Sequence, residues 1–300
     1  MILVTGGTGF IGKVLIRQLS EMGYAVRTLL RPSLKSPILP QGISLEVVVC
    51  GLNDDRGLRA AMRGVTTVIH LAGAEFAGSR ADLQGVDVEG ARAVADAARD
   101  AGIERLLFLS HLGADRASAF PVLKAKGIAE RYILQSSVPS TIFRSSIIYG
   151  KEDHFTVPLA RLLKANPFIF LLPGDGTTML QPIAVEDVVA AFTLALDDAR
   201  TINHVYTIGG PEYLSFREII ELVAANIRAK RWIIPVSPAY LRILAIWMEQ
   251  SWRRLPISSF WQDYLAADRT CDLDTLPRLF GLMPERMGKK LDYLRHAIIR

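Results

Sequence analysis

Cysteine is scarce: Cys50 and Cys271 alone, in 300 residues, cannot build a disulfide framework, and neither has a companion at metal-ligand spacing. The five histidines (His70, His111, His154, His204 and His296) are scattered with no pair at helical spacing, so no metal site is expected. No run reaches the roughly 18 uninterrupted apolar residues that span a bilayer. The chain opens directly into MILVTGG, without the basic n-region of an export signal, so a cytoplasmic polypeptide is expected. Disorder is excluded by composition, with 50% apolar and 22% charged residues.

Charge is unevenly placed. Residues 1–225 carry 22 basic against 23 acidic side chains, whereas residues 226–300 carry 13 against 7. No nucleic-acid-binding motif accompanies this basic quarter, so no nucleic-acid partner is expected. An acidic partner, the inner face of an anionic membrane or a merely solvated basic face would each account for it.

Short apolar runs alternate with amphipathic stretches over the first 150 residues. Strands are expected at 2–4, 24–30, 44–49, 67–71, 105–110 and 140–144, with helices at 12–22, 58–62, 86–101 and 124–135. Strands separated by helices imply right-handed crossovers. The fold class is therefore α/β, a Rossmann-type doubly wound parallel sheet with a smaller C-terminal α-rich subdomain. The sheet domain is expected to take residues 1–150 and about 180–212, and the subdomain about 151–179 and 213–300. Ser215-x-x-Glu218 has the capping-box pattern and should open a helix.

Between the first strand and the first helix lies Thr5-Gly6-Gly7-Thr8-Gly9-Phe10-Ile11-Gly12. A pyrophosphate needs backbone N–H donors close by, and a Cβ in the turn would obstruct them. Gly6 and Gly9 meet that need, while Gly12 lets the helix pack closely on the strand. A dinucleotide is the expected ligand, held by Gly6, Thr8, Gly9, Phe10, Ile11 and Gly12.

With this turn, the chain resembles the short-chain dehydrogenase/reductase superfamily in its extended and atypical branches. His70-Leu71-Ala72-Gly73 looks like that group's strand-four signature, adding Leu71, Ala72 and Gly73 to the cofactor residues. Gln181-Pro182-Ile183-x-Val185-x-Asp187-Val188 and Tyr206-Thr207-Ile208-Gly209-Gly210-Pro211 continue the likeness, which runs to about residue 225. Arg144-Ser145-Ser146-Ile147-Ile148-Tyr149-Gly150 resembles the loop over the nicotinamide, with Ser145 where proline is usual.

Nucleotide choice is set after the second strand. An acid there binds the ribose 2′-OH of NAD(H) and repels a 2′-phosphate. This chain has Arg31, with Ser33 and Lys35 nearby, which favours NADP(H) over NAD(H), although a plain surface arginine before Pro32 would look the same. After the third strand Gly51 stands where relatives often carry an adenine-binding acid. Leu52 adjoins it, and Asn53 or Asp54 could substitute.

Active members of the superfamily use a Tyr-x-x-x-Lys pair, and none of the eight tyrosines here has Lys four residues later. Lys126 fits the lysine position, which puts Val122 where tyrosine belongs, and valine carries no proton. Lys126 can still bond the nicotinamide ribose. Ser110 stands near the superfamily's catalytic Ser or Thr, and His111 is either a proton donor or a structural ring. Ser110-His111-Leu112-Gly113-Ala114 is similar to the atypical subgroup that includes the NADPH-carrying accessory subunit of complex I. The NmrA-like regulators are a more distant likeness.

In residues 238–255, Leu241, Leu244, Met248, Trp252 and Leu255 form one helical stripe, ended by Arg253 and Arg254. A helix of this kind docks on a partner, lies at a membrane interface or folds back on its own core. The leading expectation is an NADP(H)-binding, catalytically altered member that acts as a structural, assembly or sensing component of a redox or membrane complex. The alternatives are a working reductase, epimerase or isomerase using Lys126, Ser110 or His111, and a soluble nucleotide-sensing regulator.

Overall fold

The computed structural model describes residues 1–33, 38–241, 243 and 259–297. Lys35 and most of the 238–255 stripe, including Trp252, Arg253 and Arg254, lie outside the described residues. In chain order the first elements are β1 (Ile2–Thr5), α1 (Phe10–Glu21), β2 (Val26–Leu30), β3 (Leu45–Val49), α2 (Asp55–Ala61) and β4 (Thr67–His70). Then come α3 (Gly90–Asp100), β5 (Arg105–His111), α4 (Pro121–Gln135), β6 (Ser140–Ser145), β7 (Ile148–Tyr149), α5 (Thr156–Ala165) and β8 (Ile169–Pro173). The chain continues through β9 (Met179–Leu180), β10 (Ile183–Ala184), α6 (Val185–Asp197), β11 (His204–Ile208), β12 (Leu214–Ser215), α7 (Phe216–Asn226) and β13 (Trp232–Val236).

One compact unit comprises residues 1–74, 82–145 and 186–207. Its seven-stranded sheet has the order β11-β6-β5-β4-β1-β2-β3, and neighbouring strands from β1 to β6 pair in parallel. Helices cover both faces, so the central strands are continuously apolar instead of alternating. Leu3, Val68, Ile69, Leu106, Leu107, Ile142 and Phe143 are all fully buried. Ala91, Val94, Ala95 and Ala98 of α3 belong to a core with Leu58, Met62 and Ile133. Gln18 of α1 donates to Thr193 of α6. Burial of each large apolar side chain contributes about 1.5–3 kcal/mol.

Strand order reverses beside β1, which pairs with β2 on one side and β4 on the other. The crevice at the carboxyl ends of these strands is where doubly wound sheets take ligands. The helix expected over 86–101 is not regular from end to end. A π-helical turn, Leu83–Glu89, precedes α3, with Asp82 accepting from Gly85 N at 2.8 Å. Apolar periodicity does not register such a widened turn, and it carries Asp87 to a buried position.

The other unit comprises residues 75–81, 146–185 and 208–300. Asp153, almost fully buried, accepts from the amides of Gly150, Phe155 and Val157 and from the Thr156 hydroxyl. Tyr293 donates to the same carboxylate at 3.2 Å and shares a 2.6 Å hydrogen bond with Thr156. Helix α7 opens with the capping box: Ser215 accepts from Glu218 N, and the Glu218 carboxylate accepts from Ser215 N. The motif-like segments 181–183 and 208–210 pack together here, because Gln181 donates to Gly210 O while its carbonyl accepts from Cys271 N.

Removing the Ser215 hydroxyl (Ser215→Ala) should cost about 1 kcal/mol in urea unfolding. Asp153→Ala, which strands several buried donors, should cost roughly 3 kcal/mol or more in the same measurement.

Candidate dinucleotide site

The site is built at the turn from β1 to α1. Gly6 lies in the left-handed region at φ +76°, and a Cβ there would meet the Leu71–Ala72 backbone at 2.8 Å. Its glycine is therefore set by close approach of the β4 loop, not only by approach of a phosphate. Leu71 N donates to Thr5 O at 3.1 Å, which fixes that loop against the turn. A Cβ on Gly12 would strike the Gly6 carbonyl, so α1 can pack this closely only with glycine there. Gly7, which the motif treats as variable, is equally constrained, because a Cβ would run into Thr28 and Ile16. Contact with β2 and with α1 explains that residue, and the sequence carries no sign of it.

The outer tip of the turn is different. Thr8 and Gly9 are exposed, Phe10 and Ile11 are half-buried, and a Cβ on Gly9 would approach only Gly6 O, at 3.1 Å. Gly9 is the N-cap of α1 and supplies no side-chain hydrogen bond to the first helical amides. An uncapped helix N-terminus carries partial positive charge and free donors. The cradle thus fits a pyrophosphate.

Arg31 and Ser33 are exposed just beyond β2. After β3, Leu52 packs beside Gly90 of α3, where a Cβ would meet its side chain at 2.8 Å. Asp54 is already engaged as the N-cap of α2, accepting from Gly57 N at 2.9 Å, which weakens its candidacy for adenine. The Asn53 carboxamide lies over Gly51.

At the carboxyl ends of β4 and β5 the polar groups are buried. His70 Nδ1 and Thr5 Oγ1 are 2.6 Å apart, and the His70 ring stacks on Phe108. Burial, reinforced by the Lys126 charge, pushes the His70 pKa down to about 3, so the ring is neutral at physiological pH. On α4, Lys126 is almost fully buried and pairs with Asp87 Oδ1 at 2.8 Å, with Nζ 5.7 Å from the Phe108 centroid. Asp87 Oδ2 also accepts from Ala74 N. Asp87 is the residue that motif reading missed; the signal available was an acid flanked by Val86 and Val88. Val122 lies one turn before Lys126 on α4.

Ser110 belongs to a separate cluster. Its hydroxyl donates to Glu130 Oε1 at 2.5 Å, and Glu130 is gripped by Arg144 through contacts of 2.6 and 2.9 Å. The Glu130 carboxylate holds the Arg144 pKa above its ordinary value despite partial burial. His111 is half-buried opposite Ser145 in the β5–β6 ladder, and Leu112 N donates to Ser145 O. The structure thus brings the glycine turn together with Leu71–Ala72, and Lys126 with Asp87, while Ser110 turns to Glu130.

The sheet order, the glycine turn at its reversal point and the lysine on α4 define an NAD(P)-binding Rossmann fold of the atypical short-chain dehydrogenase type. The chain belongs to the NmrA-like family, whose model matches residues 1–246. It is 33% identical over 231 residues to NADH dehydrogenase [ubiquinone] 1 alpha subcomplex subunit 9, mitochondrial, of Arabidopsis thaliana, covering 75% of this chain and 57% of that protein. It is 32% identical over 192 residues to a ceramide reductase of Caulobacter vibrioides, covering 63% and 59% respectively. The chain therefore spans under three-fifths of the length of either relative. Among solved structures, MoeE5 in complex with UDP-glucuronic acid and NAD shares the fold, with a TM-score of 0.75 at 22% identity over 99% of this chain and 98% of that one.

Breaking the buried pair with Lys126→Met should destabilise the chain by about 3–5 kcal/mol, because Asp87 is left charged and unpaired. Adding Asp87→Asn should restore most of that loss in denaturant unfolding. The depressed His70 pKa makes the folded state bind fewer protons than the unfolded state between pH 6.5 and about 3. Stability supplied by this group is complete above pH 6.5 and falls as pH drops, by about 1.4 kcal/mol per pH unit. His70→Asn should flatten the pH dependence of the unfolding free energy over that window.

Proposed function

We propose that the chain holds a nicotinamide dinucleotide at the β1–α1 turn, with NADP(H) preferred over NAD(H). We further propose that it works as a structural, assembly or sensing component of a redox or membrane complex. The observation that carries this reading is the buried Lys126–Asp87 pair on a helix that has Val122 where a proton-donating tyrosine would stand. The first amides of α1 take the pyrophosphate, and Arg31 and Ser33 take the 2′-phosphate. Lys126, oriented by Asp87, serves the nicotinamide ribose. When bound, the nicotinamide supplies a hydride donor or acceptor. Of the chain's own candidates for proton delivery, Ser110 is committed to Glu130, which leaves His111 and Lys126.

Similarity to a subunit of NADH dehydrogenase supports membership of a complex. Peripheral attachment at the inner face of a membrane, through residues 238–255, is part of the same proposal. A second reading, an active reductase, is favoured by the 32% identity to a ceramide reductase. The two separate on turnover. The purified chain should retain or bind NADPH by calorimetry, yet show no sustained oxidation of NADPH with long-chain ketone or nucleotide-sugar substrates. Gly9→Val should weaken binding by at least about tenfold, and Arg31→Glu should remove the preference for NADPH while sparing NADH. Sustained turnover would establish the reductase reading, and no affinity for either nucleotide would overturn both.

A further inference from the structure

Strands β8 and β13 form a two-stranded parallel ribbon in register, with Trp232 opposite Ile169, Ile234 opposite Leu171 and Val236 opposite Pro173. Opposed residues share a face, and faces alternate along each strand. Phe170 and Leu172 are buried on the inner face. The outer face then consists of Ile169, Leu171, Pro173, Trp232, Ile234 and Val236, without one polar side chain. A ribbon with one solvated face ordinarily alternates apolar with polar. Here Trp232 is 79% exposed, and Phe168, just before β8, is 75% exposed. Leu171 and Ile234 are also exposed.

The charges beside this face have a direction. Because the strands are parallel, the residues that precede them lie at the same end: Lys164 before β8, and Arg228, Lys230 and Arg231 before β13. Arg228, Lys230 and Lys164 are exposed. Passing along the ribbon from that end, the surface goes from cations through Phe168 and Trp232 to aliphatic side chains. The same end opens onto a groove of about 540 Å³ with an apolar lining that includes Leu163, Ile220 and Ile233, and three cations, Arg228, Lys230 and Arg231, against one acid, Glu221.

We infer that this face is a docking surface for an anionic lipid bilayer. Headgroup phosphates meet the cations, the two aromatic rings sit at the interfacial level, and the aliphatic side chains reach the acyl region. Charge complementarity selects this occupant, since Lys164, Arg228 and Lys230 are exposed at one end of an otherwise apolar face. The surface argued from here rests on Lys164, Phe168–Pro173 and Arg228–Val236, and its use does not depend on nucleotide binding.

Vesicle flotation of the full chain tests the inference. The chain should float with phosphatidylcholine vesicles containing about 30% phosphatidylglycerol and bind pure phosphatidylcholine at least about tenfold more weakly, with the difference erased by high salt. Phe168→Ser with Trp232→Ser should lose about tenfold or more in affinity, as should Lys164→Glu with Lys230→Glu, while the thermal unfolding curve and NADPH affinity stay unchanged. Failure of the unaltered chain to float would overturn the inference. So would undiminished flotation of the Phe168/Trp232 variant, which would place the contact elsewhere. Concentration-dependent dimerisation abolished by that variant, in sedimentation without lipid, would assign the face to a second copy instead.

Discussion

The closeness of three backbone segments underlies the candidate site. The β1–α1 turn lies against the loop after β4 so tightly that no Cβ fits at Gly6, and α1 enters so close to the turn that none fits at Gly12. These contacts aim the axis of α1 at the crevice and leave its first amides uncovered, so that electrostatic attraction for an anion follows from packing alone. Side chains contribute little to this part of the site. That is why a short run of glycines carries so much of its character.

The opposite wall works by a different principle. Lysine on α4 is taken out of water and compensated by Asp87, whose other oxygen is anchored on the Ala74 amide. A pair of this kind adds little net stability but holds the ammonium in a fixed place. Neutral His70, stacked on Phe108 and bonded to Thr5, avoids placing a second positive charge beside it. The neighbouring turn of α4 carries Val122, an apolar side chain.

Much of the architecture is legible in the chain, because burial on both faces writes continuous apolar runs for β1, β4, β5 and β6, and crossover geometry then leaves few topologies. The strand His204–Ile208 and the capping box at Ser215 are local signals that need no tertiary context. What escapes is set by contacts between distant segments. Gly7 is fixed by Thr28 and Ile16, and Asp87 reaches Lys126 only through a widened turn that leaves no trace in helical periodicity. Ser110 reads as a strand-end hydroxyl until Glu130, itself held by Arg144, accepts its hydrogen bond. Asp54 could serve adenine on paper, but its carboxylate caps α2.

The cap on α5 draws on residues made at very different times. Asp153 and Thr156 meet Tyr293, whose hydroxyl comes from 137 residues beyond Thr156. During synthesis, α5 therefore emerges with its buried carboxylate short of one donor and keeps that deficit until the tyrosine has been added and has found its place. Completion of this helix start is tied to the arrival of residue 293, which couples local order at residue 153 to a segment translated much later.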